Sequence, residues 1–447
     1  MVGYRQFVRR PVLLAAIILV PCVLFLLISG RGDEKKLGPV RSWGWHGVVR
    51  LEHFEIKQTL EDSRGRVLVV GFKDDDGFAQ IVRLRTDGSL DPSFGKHGVV
   101  SWPRPAIANR AIHFHPGWDM AALLPGGKIA LAGTSLFGLV DERSTLVVSE
   151  LNENGRIIRS FGKNGYFTTK MASCIRGPTG MTAQGDRLVV AVNHFCKTYD
   201  SAGQRLPNRI ALMRLTRAGE PDASFARGGQ LTVVESRALA LVSPHTPLLT
   251  RPQNHLALLV PGAAGGLVEI VGLLENGTLD QRFGQKGTAS ARVAFDSEGN
   301  IFTSGLSRDK EGSLTIAGCT DAGPFLARFN RKGGADDYWG GSPWEPWLKG
   351  VNTNYENFGG AFGVCALFAP RRNGDFFVAG DVLARIHGSG TINRGYPTRN
   401  LYKKARRTVR NLIVLRDGTA LVSLTQWHDS HGKSIGGGTT TFIERYR

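Results

Sequence analysis

The sequence predicts an all-β fold in which seven repeated units close into a ring. Three observations carry this prediction: an apolar strand that recurs seven times, a Gly-rich turn element that follows it, and a repeat that is split between the two ends of the chain. The composition agrees, because 57 glycines and only 5 methionines in 447 residues indicate a turn-rich β protein rather than a helical bundle. With 42% apolar and 21% charged residues, the chain can bury a large core and is not disordered.

The apolar strand recurs at intervals of 44 to 68 residues. Short apolar runs bounded by turn residues are typical of strands that are buried on both faces. Its copies begin at Val67, Ile129, Leu188, Leu256, Leu314, Phe376 and Ala420. We interpret these strands as the innermost ones of their units, so the centre of the ring is expected to have an apolar wall.

The turn element that follows the strand is clearest at 87–98, where it reads Asp-Gly-Ser-Leu-Asp-Pro-Ser-Phe-Gly-Lys-His-Gly. It returns at 276–287 and, with fewer identities, in the second, third and fifth units. Asp-Gly or Asn-Gly supplies the positive φ values of a tight turn, and a following Asp closes an Asx turn. The aromatic residue is expected to cover the joint between neighbouring units, and the last glycine to open the next strand.

These two elements resemble the delta-60 repeat family, which combines an apolar strand ending in Ala-Gly with this turn. The resemblance covers roughly residues 41–447 and is strongest at 64–101 and 254–288. It implies a single β-propeller with four-stranded blades of about 60 residues, and it implies little about chemistry because no common activity belongs to the family. Residues 291–302 also resemble an NHL-type propeller strand pair, which leaves seven or eight blades open at 288–318.

One copy of the repeat is divided between the two ends of the chain. Residues 42–49 match residues 93–100 at six of eight positions, whereas the seventh unit stops after 439–446 without a turn element. A circular fold explains this division, because the N-terminal strand then completes the last blade and removes two sheet edges. We therefore predict seven blades over 41–447, closed by pairing the strand that contains Val48 with the last strand.

The N-terminal segment indicates a membrane anchor. Residues 1–10 carry three arginines and no acid, and residues 11–29 carry no charge. A helix of that length rises about 28 Å, close to the thickness of the bilayer hydrocarbon, and the arginines favour a cytoplasmic N-terminus. We expect a transmembrane helix at 11–29, a linker at 30–40 and the ring outside the cytoplasmic membrane, in the periplasm or at the cell surface. Secretion after signal-peptide cleavage is the alternative.

Four cysteines follow the anchor, and an even number in a chain that leaves the cytoplasm predicts disulfide bonds. Of the three possible connectivities, the local pairs Cys174–Cys196 and Cys319–Cys365 are the simplest. Four free buried thiols are the alternative.

The charge balance suggests how the ring binds. Lys and Arg number 56 against 38 Asp and Glu, a net charge of +18, which favours anionic partners. A basic cluster without any acid is expected to project as a positive patch from a connection between blades, and a plain solvated loop is its alternative. Its members are Arg399, Lys403, Lys404, Arg406, Arg407 and Arg410. The expected partner is a protein, an anionic envelope polymer or a lipid headgroup, and nucleic acid is not expected.

No catalytic constellation stands out in the sequence. G-x-S-x-G, Walker, Rossmann and H-E-x-x-H motifs are missing, and the cysteines lack zinc-ligand spacing. We therefore predict no catalytic, cofactor or metal residues and favour a binding scaffold. The alternative is a hydrolase or lyase acting on a glycoside, ester or lactone in the central channel, which needs charged residues on the innermost strands.

Overall fold

A computed structural model describes sixteen stretches of the chain, which begin at Pro39. They are residues 39–73, 79–101, 117–136, 144–170, 175–194, 208–236, 248–261, 267–292, 301–320, 323–336, 367–371, 375–379, 382–386, 399–400, 407–427 and 439–447. Within them, every element is a β-strand except for two single 3₁₀ turns at Pro125–Gly127 and Pro252–Asn254. The all-β prediction is confirmed.

The strands form seven antiparallel sheets, which are the seven blades of a β-propeller. Blade 1 contains β2 (Phe54–Glu61), β3 (Val67–Lys73), β4 (Ala79–Leu84) and β5 (Val99–Ser101). Blade 2 contains β6 (Gly117–Leu123), β7 (Ile129–Leu136), β8 (Ser144–Leu151) and β9 (Tyr166–Lys170). Blade 3 contains β10 (Ile175–Gln184), β11 (Arg187–His194), β12 (Asn208–Leu215) and β13 (Gln230–Ser236). Blade 4 contains β14 (Leu248–Thr250), β15 (Leu256–Pro261), β16 (Leu267–Leu273) and β17 (Thr288–Arg292).

The other three blades follow the same order. Blade 5 contains β18 (Ile301–Arg308), β19 (Leu314–Thr320) and β20 (Gly323–Phe329) among the described residues. Blade 6 contains β21 (Leu367–Pro370), β22 (Phe376–Ala379), β23 (Val382–Ile386) and β24 (Arg399–Asn400). Blade 7 contains β25 (Arg407–Val414), β26 (Ala420–Trp427), β27 (Thr439–Tyr446) and, as its fourth strand, the first strand of the chain, β1 (Val48–Glu52).

The ring closes as the split repeat predicts. In the antiparallel pairing of β1 with β27, Val48 lies opposite Glu444 and Glu52 lies opposite Thr440. The predicted ambiguity at 288–318 is also resolved: β17 is the outer strand of blade 4 and β18 begins blade 5. The ring therefore has seven blades.

The recurring apolar strand is the second strand of each blade, so its placement as the innermost strand is wrong. β3 shows why the run is apolar throughout: Val67 and Val69 pack towards blade 7, whereas Leu68 and Val70 pack towards blade 2. Each strand is covered by both neighbouring blades, and burial on both faces removes the alternation of polar and apolar residues. The innermost strands are β2, β6, β10, β14, β18, β21 and β25, which contact one another around the ring.

Chain direction gives the ring two different ends. The first-to-second and third-to-fourth strand connections lie at one end, which we call the turn end. The second-to-third connections and the links between blades lie at the other, which we call the loop end. The described connections are mostly those of the turn end.

Candidate functional site

The repeated turn elements form the joints between blades at the turn end. In the joint between blades 1 and 2, the Phe94 ring covers Gly155, and the backbone N–H of Gly95 donates a 2.9 Å hydrogen bond to the carbonyl of Asn154. Gly155 has φ +78°, and an added Cβ would lie 2.8 Å from the Phe94 ring. Four other joints repeat this aromatic–glycine contact: Trp43–Gly88, Phe161–Gly219, Phe225–Gly277 and Phe283–Gly333. The prediction that the aromatic covers the joint is confirmed.

Buried ion pairs reinforce the joints of blades 1 and 3. In blade 1, the Arg83 guanidinium lies 2.8 Å from Asp91 and 4.4 Å from the centre of the Phe94 ring, and it donates to the carbonyl of Glu153 in blade 2. Burial alone would raise the pKa of Asp91, but hydrogen bonds from Ser93 and the charge of Arg83 outweigh it and hold that pKa below its usual value. Because these groups bond one another across the joint, they hold neighbouring blades together.

The third strand carries an arginine at this position in five of the seven blades, opposite the second residue of the recurring strand. The residues there, from blade 1 to blade 7, are Arg83, Glu150, Arg214, Gly272, Arg328, Arg385 and Arg445. In blade 2 the charge is reversed, and Glu150 pairs with Lys128 at 2.7 Å. In blade 4 the position is a glycine, and Arg251 from the neighbouring hairpin reaches Asp280 at 3.2 Å.

The innermost strands carry a β-bulge at one level of the channel wall. In five blades the innermost strand contains one extra residue. It lies opposite the point between the fourth and fifth residues of the recurring strand. The extra residues are Lys57, Asp119, Thr179, Ser304 and Arg410. In blades 4 and 6 the corresponding position lies outside the described residues. Of Asp119 and Ser304 only the backbone is described. Because bulges are common beside functional sites, this polar level is the candidate functional site.

Lys57 is the best-described member of the polar level. Its Nζ lies 3.0 Å from Oε1 of Glu55 and 4.8 Å from the centre of the Phe72 ring, so both partners hold it on the side of the strand nearer the loop end. The wall beneath is tied together between blades, since Gln58 accepts a 2.7 Å hydrogen bond from the Ala121 N–H. The polar level thus lies on a rigid frame.

Glu269 on β16 is a described acid whose charged form is disfavoured by burial. Burial raises the pKa of its carboxyl, and no opposing charge lowers it again. It lies opposite Val260 and Ser290, in the half of blade 4 that faces the loop end. A carboxyl with a raised pKa binds or releases protons more readily near neutral pH. Burial also raises the pKa of Glu61, so Glu269 is one of two described acids with this property.

A cleft of about 430 Å³ opens on the rim between blades 1 and 2. Its walls include Val100, Leu151, Ile157 and Tyr166, with Arg159 among the polar residues. Ile158 occupies the position of Asp91, so blade 2 lacks the acid that ties this turn to the third strand in blade 1.

The structure divides the predicted basic cluster. Arg407 and Arg410 belong to β25, the innermost strand of blade 7, rather than to a connection between blades. The Arg407 guanidinium lies 2.9 Å from Glu444 and 3.5 Å from the centre of the Phe442 ring. Arg399 lies on β24, its side chain outside the described atoms, and Lys403, Lys404 and Arg406 lie outside the described residues. The patch stays a prediction for those four.

Several other expectations also fall outside the described residues. Cys174, Cys196 and Cys365 are among them, and of Cys319 only the backbone on β19 is described, so the disulfides stay a prediction. The anchor at 11–29 is likewise outside. Among the described residues, none forms a helix of sufficient length and apolar character to cross a bilayer. The same residues contain no group of three potential metal ligands.

Sequence reasoning missed the polar level of the channel. Its signal is present before the first recurring strand: at 56–58, Ile-Lys-Gln places two polar residues in succession and breaks the alternation of a half-buried strand. A bulge accounts for such a break, but the break identifies an innermost strand only when the order of strands in the blade is known.

Comparisons with known proteins agree on the fold. Residues 65–94 match the family described as "Domain of unknown function (DUF5122) beta-propeller". No curated protein matches the chain. The matched segment contains the recurring strand and most of the turn element of blade 1, so it fits a propeller repeat.

Solved structures match this chain at low identity and with low TM-scores. An α-L-arabinanase from Penicillium chrysogenum is 11% identical with a TM-score of 0.39, and the match covers 88% of this chain and 93% of that one. Prolyl oligopeptidase B from Galerina marginata is 10% identical with a TM-score of 0.36, over 83% of this chain and 46% of that one. This chain thus matches about half the length of the prolyl oligopeptidase. The seven antiparallel sheets themselves establish the fold: this chain is a seven-bladed β-propeller.

Proposed function

We propose that this protein is a membrane-anchored binding scaffold outside the cytoplasmic membrane, which holds a protein or an anionic envelope ligand at the loop end of the ring. The observation that carries the proposal is the difference between the two ends. At the turn end, the described third-to-fourth connections share one motif and bond to the neighbouring blades. At the loop end, connections between second and third strands range from the two residues 321–322 to the thirteen residues 195–207. Connections that vary on a rigid frame are typical of binding surfaces.

The basic cluster supports an anionic component in that ligand. Lys403, Lys404 and Arg406 fall in the link between β24 and β25, which belongs to the loop end. Arg407 is excluded from the ligand-binding set, because it is already paired within blade 7. In this proposal Lys403, Lys404 and Arg406 supply the positive charge of the link.

Crosslinking in intact membranes tests the scaffold. An amine-reactive crosslinker is applied to cells that express the full chain, and crosslinked lysines are mapped by mass spectrometry. Partners should be joined through Lys403, Lys404 or Lys433, which belong to the loop end by chain order. Partners joined only through turn-end lysines such as Lys96 and Lys163 would contradict the proposal.

Charge removal sharpens the same test. Changing Lys403, Lys404 and Arg406 together to Ser should weaken capture of the partner, and added salt should weaken it further, because exposed charges are screened over about 8 Å at physiological salt. The matched control changes three turn-end lysines, Lys96, Lys163 and Lys286, to Ser. Equal capture by both triple variants would remove the basic link from the proposal.

A channel enzyme is the second candidate, and the polar level favours it more than the sequence did. Lys57, Asp119 and Arg410 bring both signs of charge to one height of the innermost strands. Their roles are tested by assaying the purified chain on glycosides, esters and lactones. Turnover that disappears in both Lys57→Gln and Asp119→Asn, while the fold persists, would establish the enzyme in place of the scaffold.

The anchor and the outside location have their own test. Protease added to spheroplasts should digest the ring and protect the first thirty residues, since those lie in the membrane or the cytoplasm. A soluble product that begins near residue 30 would show a cleaved signal peptide, and the scaffold would then be secreted.

A further inference from the structure

The turn end of the ring has a strongly basic surface. In the described connections at this end, together with Arg447, sixteen exposed Lys and Arg stand against seven exposed Asp and Glu. The whole chain has 56 against 38, so the excess is greater here than on average. The basic residues come from six of the seven blades, as Lys96 in blade 1, Arg227 in blade 3 and Lys332 in blade 5 illustrate. The charge is spread over the end of the ring rather than gathered in one loop.

Exposed apolar side chains lie on the same surface. Among the described residues, the exposed large hydrophobic side chains are Trp45 (80% exposed), Leu90 (46%) and Leu279 (39%), and all three belong to turn-end connections. Trp45 is the exception within the repeat, because the same position is Lys96 in blade 1 and Lys163 in blade 2. At a position that carries a charged or polar side chain in blades 1 to 4, this tryptophan exposes its ring to water.

The chain also enters the ring at this end. Pro39 forms a bridge with Tyr446, the last residue of β27, and the Val40 N–H donates a 2.9 Å hydrogen bond to the carbonyl of Arg445. The uncharged run at 11–29 ends nine residues before Pro39. Fully extended, these nine residues reach no more than about 32 Å. A bilayer that holds the run therefore lies nearer the turn end than the loop end.

We propose that the turn end rests on the surface of an anionic lipid bilayer. Basic residues near such a surface are attracted to its headgroups, tryptophan prefers the boundary between headgroups and hydrocarbon, and exposed leucines gain free energy when they leave water. A soluble polyanion would match the charges but leave Trp45, Leu90 and Leu279 in water. In this orientation the loop end faces away from the membrane and is open to a partner, whatever that partner is.

Lysine acylation on the full chain tests this orientation. The protein is mixed with vesicles of phosphatidylcholine alone or of phosphatidylcholine with phosphatidylglycerol, and acylation rates at single lysines are read by mass spectrometry. Lys96, Lys163, Lys286 and Lys332 should react at least about threefold more slowly with the anionic vesicles, and high salt should remove the protection. Lys403 and Lys433, in loop-end connections, should keep their rates. Equal rates in both vesicles, or protection confined to Lys403 and Lys433, would overturn the proposal.

A variant separates a lipid surface from a polyanion. Trp45→Lys keeps the fold, because lysine already fills this position in blades 1 and 2. If the ring inserts into the interface, the variant should lose at least half of the protection at Lys96, although it gains a positive charge. If dextran sulfate protects the lysines as well as the vesicles do and Trp45→Lys changes nothing, the surface recognises soluble polyanions and the membrane proposal is wrong. These outcomes do not depend on partner capture at the loop end, so the two proposals fail separately.

Discussion

The joint between blades 1 and 2 and the joint between blades 2 and 3 have the same geometry with different charges. In the first, Phe94 covers Gly155 and the buried Arg83 pairs with an aspartate. In the second, Phe161 covers Gly219, but the equivalent of Arg83 is Glu150, which pairs with a half-buried lysine. The aromatic ring, the glycine and the backbone hydrogen bond are constant, whereas the ion pair is exchanged. The repeat therefore preserves the fit between blades more strictly than the charges that surround it.

The largest effect is expected where a joint is removed altogether. Deleting residues 439–447 takes away the third strand of blade 7 and leaves β1 without its partner. The ring should lose its cooperative unfolding transition and associate through exposed strand edges, because the loss exceeds the net stability of a typical domain. Light scattering and thermal melting measure both effects.

The control for this deletion is removal of Arg447 alone, which is exposed and lies beyond β27. A deletion of 439–447 that stays monomeric and melts like the parent would show that closure does not hold the ring together.

Replacing the third-strand residue with methionine in each joint measures the exchanged ion pair. Arg83→Met leaves Asp91 buried, with only Arg66 at 3.6 Å as a remaining charge partner, and should lower the free energy of unfolding by about 3 kcal/mol. Glu150→Met leaves Lys128, whose side chain is 32% exposed and can return to water, so the loss should be about 1 kcal/mol. Denaturant unfolding gives both values, and equal losses would mean that the two ion pairs contribute alike.

The constant part of the joint is tested with two glycines that share a backbone conformation. Gly155 has φ +78° and Gly126 has φ +76°, but only Gly155 faces an aromatic ring, and nothing lies within 4 Å of a Cβ on Gly126. Alanine at Gly126 should lower the free energy of unfolding by about 1 kcal/mol from backbone strain. Alanine at Gly155 should add about 1 to 3 kcal/mol of overpacking against Phe94. Similar melting temperatures for the two variants would show that the joint tolerates a methyl group.

The sequence predicts the recurring parts of the joint, the aromatic ring and the glycine, but it does not predict the ion pairs that differ between joints. Closure of the ring follows from the match between 42–49 and 93–100, because identical turns require identical surroundings. The pairing of Arg251 with Asp280 has no such signature. Arg251 comes from the connection between the first and second strands of blade 4, and it takes the place of the third-strand arginine because that position is Gly272. The channel wall was misassigned for a related reason: an apolar run reports burial on both faces and carries no information on the order of strands within a blade.

The pH dependence of stability should separate acids within the joints from an acid outside them. Burial alone would raise the pKa of Asp222, but hydrogen bonds from Ser224 and the charge of Arg214 outweigh it and hold that pKa below its usual value. The charged carboxyl therefore stabilises the fold near neutral pH, and this stabilisation is lost as the pH falls. Burial raises the pKa of Glu269, so its neutral form is favoured in the fold and stability is lost as the pH rises through that raised value.

Two variants therefore have opposite signs at neutral pH. Asp222→Asn should be less stable than the parent, and Glu269→Gln should be more stable. Glu269→Gln should converge on the parent once the pH falls below the ordinary pKa of glutamate, about 4.3. Asp222→Asn should converge only at a lower pH, as the pH falls through the lowered pKa of Asp222 in the folded chain. Unfolding followed by denaturant between pH 3 and 8 measures the two curves. A Glu269→Gln variant that is less stable than the parent at neutral pH would show that the charged carboxyl has a stabilising partner.

The smallest expected effect concerns the joint between blades 7 and 1, where Trp43 replaces the phenylalanine of the other joints. Trp43 is 1% exposed and its buried indole N–H has no hydrogen-bond partner, a condition that opposes folding. Trp43→Phe restores the residue found at position 94, removes the unsatisfied donor and leaves a small void beside Gly88. The lost packing costs about 1 to 2 kcal/mol and removal of the unsatisfied N–H returns about the same amount, so the free energy of unfolding should change by less than about 1 kcal/mol.

Phe94→Ala is the contrasting variant. It opens a joint in which no unsatisfied donor is removed, so it should lower the free energy of unfolding by about 3 to 5 kcal/mol. A Trp43→Phe loss as large as that of Phe94→Ala would show that the closing joint depends on the larger ring, and the five joints could no longer be treated as one design.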